Sequence, residues 1–150
     1  MIGPGTGIAP FRGFIQARRI LKEKGETLGA AHLYFGCRNP EHDFLYQAEL
    51  EKAEQDGIVT LHTAFSRCPG KEKTYVQHRL AESAEDILPL LKDGGRLYIC
   101  GDGGKMAPDV ERTLVECYMH FYQTTKEEAD AWLGSLEEDG RYAKDVWAGA

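Results

Sequence analysis

Glycines at alternate positions, Gly3, Gly5 and Gly7, stand directly before Ile8-Ala9-Pro10-Phe11-Arg12. This spacing describes a loop whose backbone can approach a ligand closely, because glycine lacks Cβ and tolerates positive φ. Pro10 suits the first turn of a following helix, where its absent N–H would have no intrahelical partner anyway. The free N–H groups and positive end of such a helix attract a phosphate or pyrophosphate. The pattern by itself is unspecific. It reads G-x-G-x-G rather than G-x-G-x-x-G, no phosphate-loop Lys-Ser/Thr pair follows, and a Gly/Pro turn before an ordinary helix carries the same letters.

A second chemical stretch is Ser66-Arg67-Cys68-Pro69-Gly70-Lys71-Glu72-Lys73, with Tyr75 close behind. A dinucleotide laid across a sheet from the glycine loop brings its adenosine ribose near such a loop. NAD sites normally offer the 2′-hydroxyl an Asp or Glu. Ser66, Arg67, Lys73 and Tyr75 suit a 2′-phosphate instead. Charge-assisted hydrogen bonds contribute ~1.5–3 kcal/mol each. Two or three, screened by solvent, correspond to roughly a hundred- to thousandfold preference for NADP(H) over NAD(H). A solvated basic loop with no ligand is the alternative on this segment alone.

The elements that must position these loops alternate. A helix follows Pro10, with Phe11, Phe14, Ile15, Arg18 and Leu21 at helical spacing. Ala31–Cys37, Ile58–Phe65, Arg96–Gly101 and Arg141–Trp147 read as strands. Helices are expected over about Asp43–Gln55, over Tyr75–Leu91 in two pieces because of Pro89, and over Ala107–Gln123. Another begins at the Thr125-Lys126-Glu127-Glu128 capping box. Alternating strands and helices indicate an α/β, doubly wound parallel sheet, in which ligands bind beyond the carboxyl ends of the strands. Gly3–Gly7, Arg38, Ser66–Lys73 and Asp102–Met106 all fall at such ends. That convergence raises the glycine loop above its bare spacing.

Composition excludes several classes. A chain of 150 residues fits one domain, 1–150, and its 42% hydrophobic and 28% charged residues are ordinary for a globular protein. The net charge of −6 argues against nucleic acid. No apolar run approaches a membrane span, and no secretory signal opens the chain. Cys37, Cys68, Cys100 and Cys117 are scattered without a C-x-x-C pair, and the histidines show no ligand spacing. The expectation is a cytoplasmic protein with reduced thiols and no metal. Only Met1 and Ile2 precede a loop that normally follows a buried strand, so the first strand is expected to be largely missing and the chain a piece of something longer.

Gly3–Arg12 (GPGTGIAPFR), Phe35–Arg38 (FGCR), Phe44–Tyr46 (FLY), Ala64–Arg67 (AFSR), Lys73-x-Tyr75-Val76-Gln77-His78, Tyr98–Asp102 (YICGD), Met106-Ala107 and Gly140–Trp147 (GRYAKDVW) occur in this order. Together they resemble the NADP-binding lobe of the diflavin NADPH–cytochrome P-450 reductase family, across the whole chain. The AFSR and KTYVQH segments and the DVWAG ending look most like the reductase C-terminus of bacillus-type fusions with a fatty-acid monooxygenase. The resemblance implies a ferredoxin-NADP reductase-type NADP-binding domain. It assigns Gly5 and Thr6, assisted by Arg38, to the pyrophosphate. Ser66, Arg67, Lys73 and Tyr75, with Gln77 nearby, go to the 2′-phosphate. Cys100, Asp102 and Met106 would line the nicotinamide side. Cys100 and Asp145 would belong to the hydride-transfer site, and Trp147 would stack on FAD and yield to nicotinamide. The implied partners are an FAD lobe upstream, then an FMN lobe and a haem monooxygenase as electron acceptors. A sulfite reductase flavoprotein-type diflavin enzyme and a non-catalytic NADP-binding fragment are the alternatives.

Overall fold

The computed structural model describes residues 1–148, so Gly149 of the DVWAG ending lies outside the described residues. A short 3-10 turn, Gly5–Ile8, runs into α1 (Ala9–Glu23). There follow β1 (His32–Cys37), α2 (Gln47–Gln55), β2 (Thr60–Phe65), α3 (Val76–Glu82), α4 (Ala84–Lys92), β3 (Leu97–Asp102), α5 (Met106–Tyr122), α6 (Lys126–Glu138) and β4 (Tyr142–Trp147).

β1 pairs with β2 and β3 with β4, both parallel. Ile2 forms parallel bridges to both Tyr34 and Ile99, so it joins the two pairs at the centre of one sheet. The order across the sheet is therefore β2-β1-Ile2-β3-β4. The central position is held only by Met1–Gly3, through bonds such as Ile2 N–H to Tyr98 O and Cys100 N–H to Ile2 O. This is the α/β parallel architecture expected from the alternation.

Side-chain alternation sends successive residues of a buried strand to opposite faces. Leu33 and Phe35 pack with Phe11, Ile15, Leu50 and Ala53 of α1 and α2. Tyr34 and Ile99 pack on the other face with Leu80, Leu88, Val110 and Leu114 of α3, α4 and α5. Helices thus cover both faces, which explains the near-continuous apolar strands.

Several boundaries differ from the sequence expectation. α2 starts at Gln47 rather than Asp43, because Asp43 is engaged in a turn with Asn39 and Tyr46 adopts a left-handed φ of 56°. The break between α3 and α4 falls at Ser83, not Pro89. Ser83 Oγ bonds back to the carbonyl of Arg79 and also meets the Tyr34 hydroxyl, a local competition that interrupts helices. Pro89 lies inside α4, where it removes one ladder bond. Phe14 and Leu21, which share the helical spacing of buried Phe11 and Ile15, are exposed. Arg18 is half-buried through hydrogen bonds to the carbonyls of Ile58 and Gly29.

Candidate functional site

The glycine loop is wedged between the carboxyl ends of β1 and β3. Gly7 lies so close to β3 that a Cβ there would sit 2.2 Å from the carbonyl oxygen of Cys100. Pro4 occupies the gap between two strand glycines: it lies 3.3 Å from where a Gly36 Cβ would be and 3.9 Å from the Gly101 equivalent. Gly5 has φ +56° with open space around it, and Thr6 is exposed. Glycines inside strand patterns mark close backbone approach. Gly36 and Gly101, glycines within the strand runs Ala31–Cys37 and Arg96–Gly101, carry that signal in the sequence.

The adenosine-side residues assemble on the neighbouring rim. Ser66 N–H donates to Cys37 O and Arg67 N–H to Arg38 O, which extends the β1–β2 pairing into the loops. Thr74 N–H returns to Phe65 O, closing the basic loop into an arch. Arg38, Arg67, Lys71, Lys73 and Tyr75 are exposed, while Ser66 and Gln77 are half-buried. Half of the cations form ion pairs among the described residues, as in Arg12–Glu49, Arg19–Asp56, Arg112–Asp109 and Lys144–Glu111, whereas Arg18, Lys22, Lys24, Lys92 and Arg96 do not and are scattered over the surface away from the glycine loop. Among the described residues, Arg38, Arg67, Lys71 and Lys73 form no ion pair. A cation cluster left without counter-charge, beside a loop stripped of side chains, fits a phosphorylated nucleotide.

On the other side, register brings together residues far apart in sequence. Cys100 pairs with Asp145, and Asp102 with Trp147, across β3 and β4. Positions two apart share a sheet face. Cys100 is buried, and burial first, then the Asp145 carboxylate, push its thiol pKa up; it is held as a neutral S–H. Asp145 is exposed and Trp147 is 47% exposed, an aromatic surface at the sheet edge. Met106 opens α5 and reaches the Gly101 backbone, its Cε 3.0 Å from where a Cβ would be.

The Asp102 carboxylate has a role its sequence context did not reveal. It accepts hydrogen bonds from Gly104, Lys105 and Met106 N–H at 2.9, 3.1 and 3.3 Å, organising the turn into α5. Asp102 therefore shapes the loop between β3 and α5 through its backbone. Arg38, Ser66, Arg67 and Lys73 lie in the loops that follow β1 and β2, Cys100, Asp102, Asp145 and Trp147 lie on the β3–β4 pair with Met106 just beyond it, and Tyr75 and Gln77 lie at the start of α3. Among the described residues, no cluster of His, Cys, Asp and Glu could hold a metal. No helix is long and apolar enough to cross a membrane. A cavity of ≈ 550 Å³ opens at the opposite, N-terminal ends of the strands, between Phe14, Tyr34, Leu91 and Tyr98, and is separate from this site.

A parallel sheet with a glycine loop and a helix N-terminus at its carboxyl edge is a dinucleotide-binding oxidoreductase domain. The chain belongs to the oxidoreductase NAD-binding domain family, which its residues 1–112 match. It is 59% identical over 149 residues to the bifunctional cytochrome P450/NADPH–P450 reductase of Bacillus cereus, and 61% identical over 149 residues to the corresponding reductase 1 of Bacillus subtilis. Each alignment covers 99% of this chain and 14% of the relative. The NADPH–cytochrome P450 reductase of Drosophila melanogaster is 44% identical over 149 residues, covering 99% of this chain and 22% of the relative. The chain thus spans about one seventh of the Bacillus relatives it matches. The resemblance drawn from the ordered motifs agrees with these similarities.

Proposed function

We propose that residues 1–150 form a single domain that binds NADP(H) and positions its nicotinamide for hydride transfer to FAD held by a preceding lobe. The observation that carries this reading is the cation cluster without counter-charge, Arg38, Arg67, Lys71 and Lys73, beside the glycine loop in an acidic chain. The backbone at Gly5 and Thr6 takes the pyrophosphate, with Arg38 adding charge. Ser66, Arg67, Lys73, Tyr75 and Gln77 take the 2′-phosphate, which makes the domain selective for NADP(H). Asp102 holds the turn that sets Met106 beside the nicotinamide.

Hydride transfer is a positioning problem more than an acid–base one. The flavin supplies the acceptor for the hydride. Cys100 presents a neutral, compact side chain that carries no charge toward the ring. Asp145 favours the positive pyridinium left when the hydride departs. Trp147, exposed at the sheet edge, would offer its aromatic face to a flavin ring and would have to move aside for nicotinamide.

In the parent protein the electrons pass through FMN to a haem-thiolate monooxygenase acting on fatty acids, in the cytoplasm. The Bacillus relatives, cytochrome P450/NADPH–P450 reductase fusions, support a P450 as the acceptor, and the fatty-acid substrate and FMN relay rest on the resemblance carried by the AFSR and KTYVQH segments. The test is calorimetric titration of the chain with 2′,5′-ADP and with 5′-AMP. Binding of the former alone, lost in Arg67→Ala, supports the assignment. Equal binding of both, or of neither by folded protein, overturns it.

A further inference from the structure

At the far end of the basic loop, the backbone N–H of Tyr75 donates to Nδ1 of His78 at 2.9 Å. A ring nitrogen that accepts from an amide carries no proton itself, so this bond uses the tautomer with its hydrogen on Nε2. Tyr75 is the N-cap of α3, extended at φ −116° and ψ 167°, and His78 is the third helical residue. That position usually belongs to a Glu or Gln reaching back to the N-cap amide. Here a histidine does the same work.

The consequence lies in what the bond holds. Tyr75 is 44% exposed, and its ring stands 5.6 Å from that of His78 at 48°. Its neighbours anchor the chain on either side, since Thr74 N–H bonds Phe65 O and Val76 is buried against Gly36. The Tyr75 carbonyl accepts from the amides of His78 and Arg79, and its N–H, the remaining backbone group, is tied by the His78 ring nitrogen. α3 is only seven residues long, so its first turn has little other helix to lean on.

We propose that His78 is a positioning residue for the nucleotide: its Nδ1 fixes the Tyr75 backbone and thereby aims the phenol at the 2′-phosphate. This rests on the reading that Tyr75 contacts that phosphate. His78 does not touch the ligand. It restricts the directions in which an otherwise exposed side chain points, so less ordering remains for binding to impose.

The test compares His78→Leu with His78→Asn, side chains of similar bulk, of which only Asn offers an acceptor near the place of Nδ1. Thr125→Ala serves as control, because it breaks the corresponding box at the start of α6, whose members are Thr125 and Glu128. Affinity for 2′,5′-ADP and the melting temperature are measured for each variant. His78→Leu should weaken binding about five- to tenfold, the size of one neutral hydrogen bond. His78→Asn should stay within about twofold of the unsubstituted protein, and Thr125→Ala should lower Tm without changing affinity. His78→Leu binding as well as the unsubstituted protein, or His78→Asn binding as weakly as His78→Leu, overturns the role of Nδ1. Failure of the unsubstituted protein to bind 2′,5′-ADP would instead overturn the site assignment beneath it.

Discussion

The amide of Arg67 donates to the carbonyl of Arg38 at 2.8 Å, so the β1–β2 pairing sets two guanidinium-bearing residues side by side on one rim. Like charges so placed repel unless an anion lies between them. Arg67→Ala should therefore weaken 2′,5′-ADP binding roughly ten- to hundredfold while leaving 5′-AMP little changed. Raising salt should weaken 2′,5′-ADP binding in the unsubstituted protein more than in the variant. Calorimetry at two ionic strengths reads both effects, and an equal loss for the two ligands would contradict the assignment.

Gly7 and Gly13 should respond in opposite directions to alanine. A Cβ on Gly7 meets the carbonyl of Cys100 at 2.2 Å, a backbone contact that cannot rotate away. Gly7→Ala should destabilise by about 1–3 kcal/mol or more. Gly13 lies within α1 with nothing near its Cβ position. Gly13→Ala should stabilise by up to about 1 kcal/mol through helix propensity. Urea unfolding of both variants checks the pair.

Asp102→Ala strips three backbone amides of their shared acceptor. The loss should be about 1 kcal/mol, as for a helix cap. A thermal melt measures this. The accompanying expectation is faster amide hydrogen exchange confined to Gly104–Met106, and unchanged exchange there would contradict the capping role.

Stability should fall as pH drops below the ordinary histidine range. His32 Nδ1 and His62 Nε2 lie 2.9 Å apart, and His62 stacks on Tyr34. Burial lowers both imidazole pKa values; for His62 its histidine neighbour lowers it further. Asp86 and Glu54 oppose the shift and Arg79 and the Met1 amine add to it, without reversing it. A base with a depressed folded pKa binds protons first in the unfolded chain, so stability is full above about pH 6.5 and declines as pH falls through the lower folded values. His62→Gln should flatten the histidine part of the profile, read by urea unfolding from pH 7.5 to 5.

On the proposal that FAD is held by a preceding lobe, the isolated chain should not pass electrons from NADPH to cytochrome c. Reduction above background by the purified 150-residue protein would sink this expectation.

Apolar runs, glycines and capping residues act over a few positions, which is why the alternating α/β order and the Thr125 box were legible from the sequence. The motif order was equally local, and it carried the family resemblance. The roles of Asp102 and His78 were not legible: Asp102 stood out as a carboxylate, with no sign that three amides would claim it. Ser83 interrupts the helix through a bond to Tyr34, a partner supplied by another element. Tertiary structure alone decided that Cys100 lies beside Asp145 and that Arg38 lies beside Arg67. Parallel pairing joins strands separated by whole helices, so such neighbours follow from register and packing rather than from spacing along the chain.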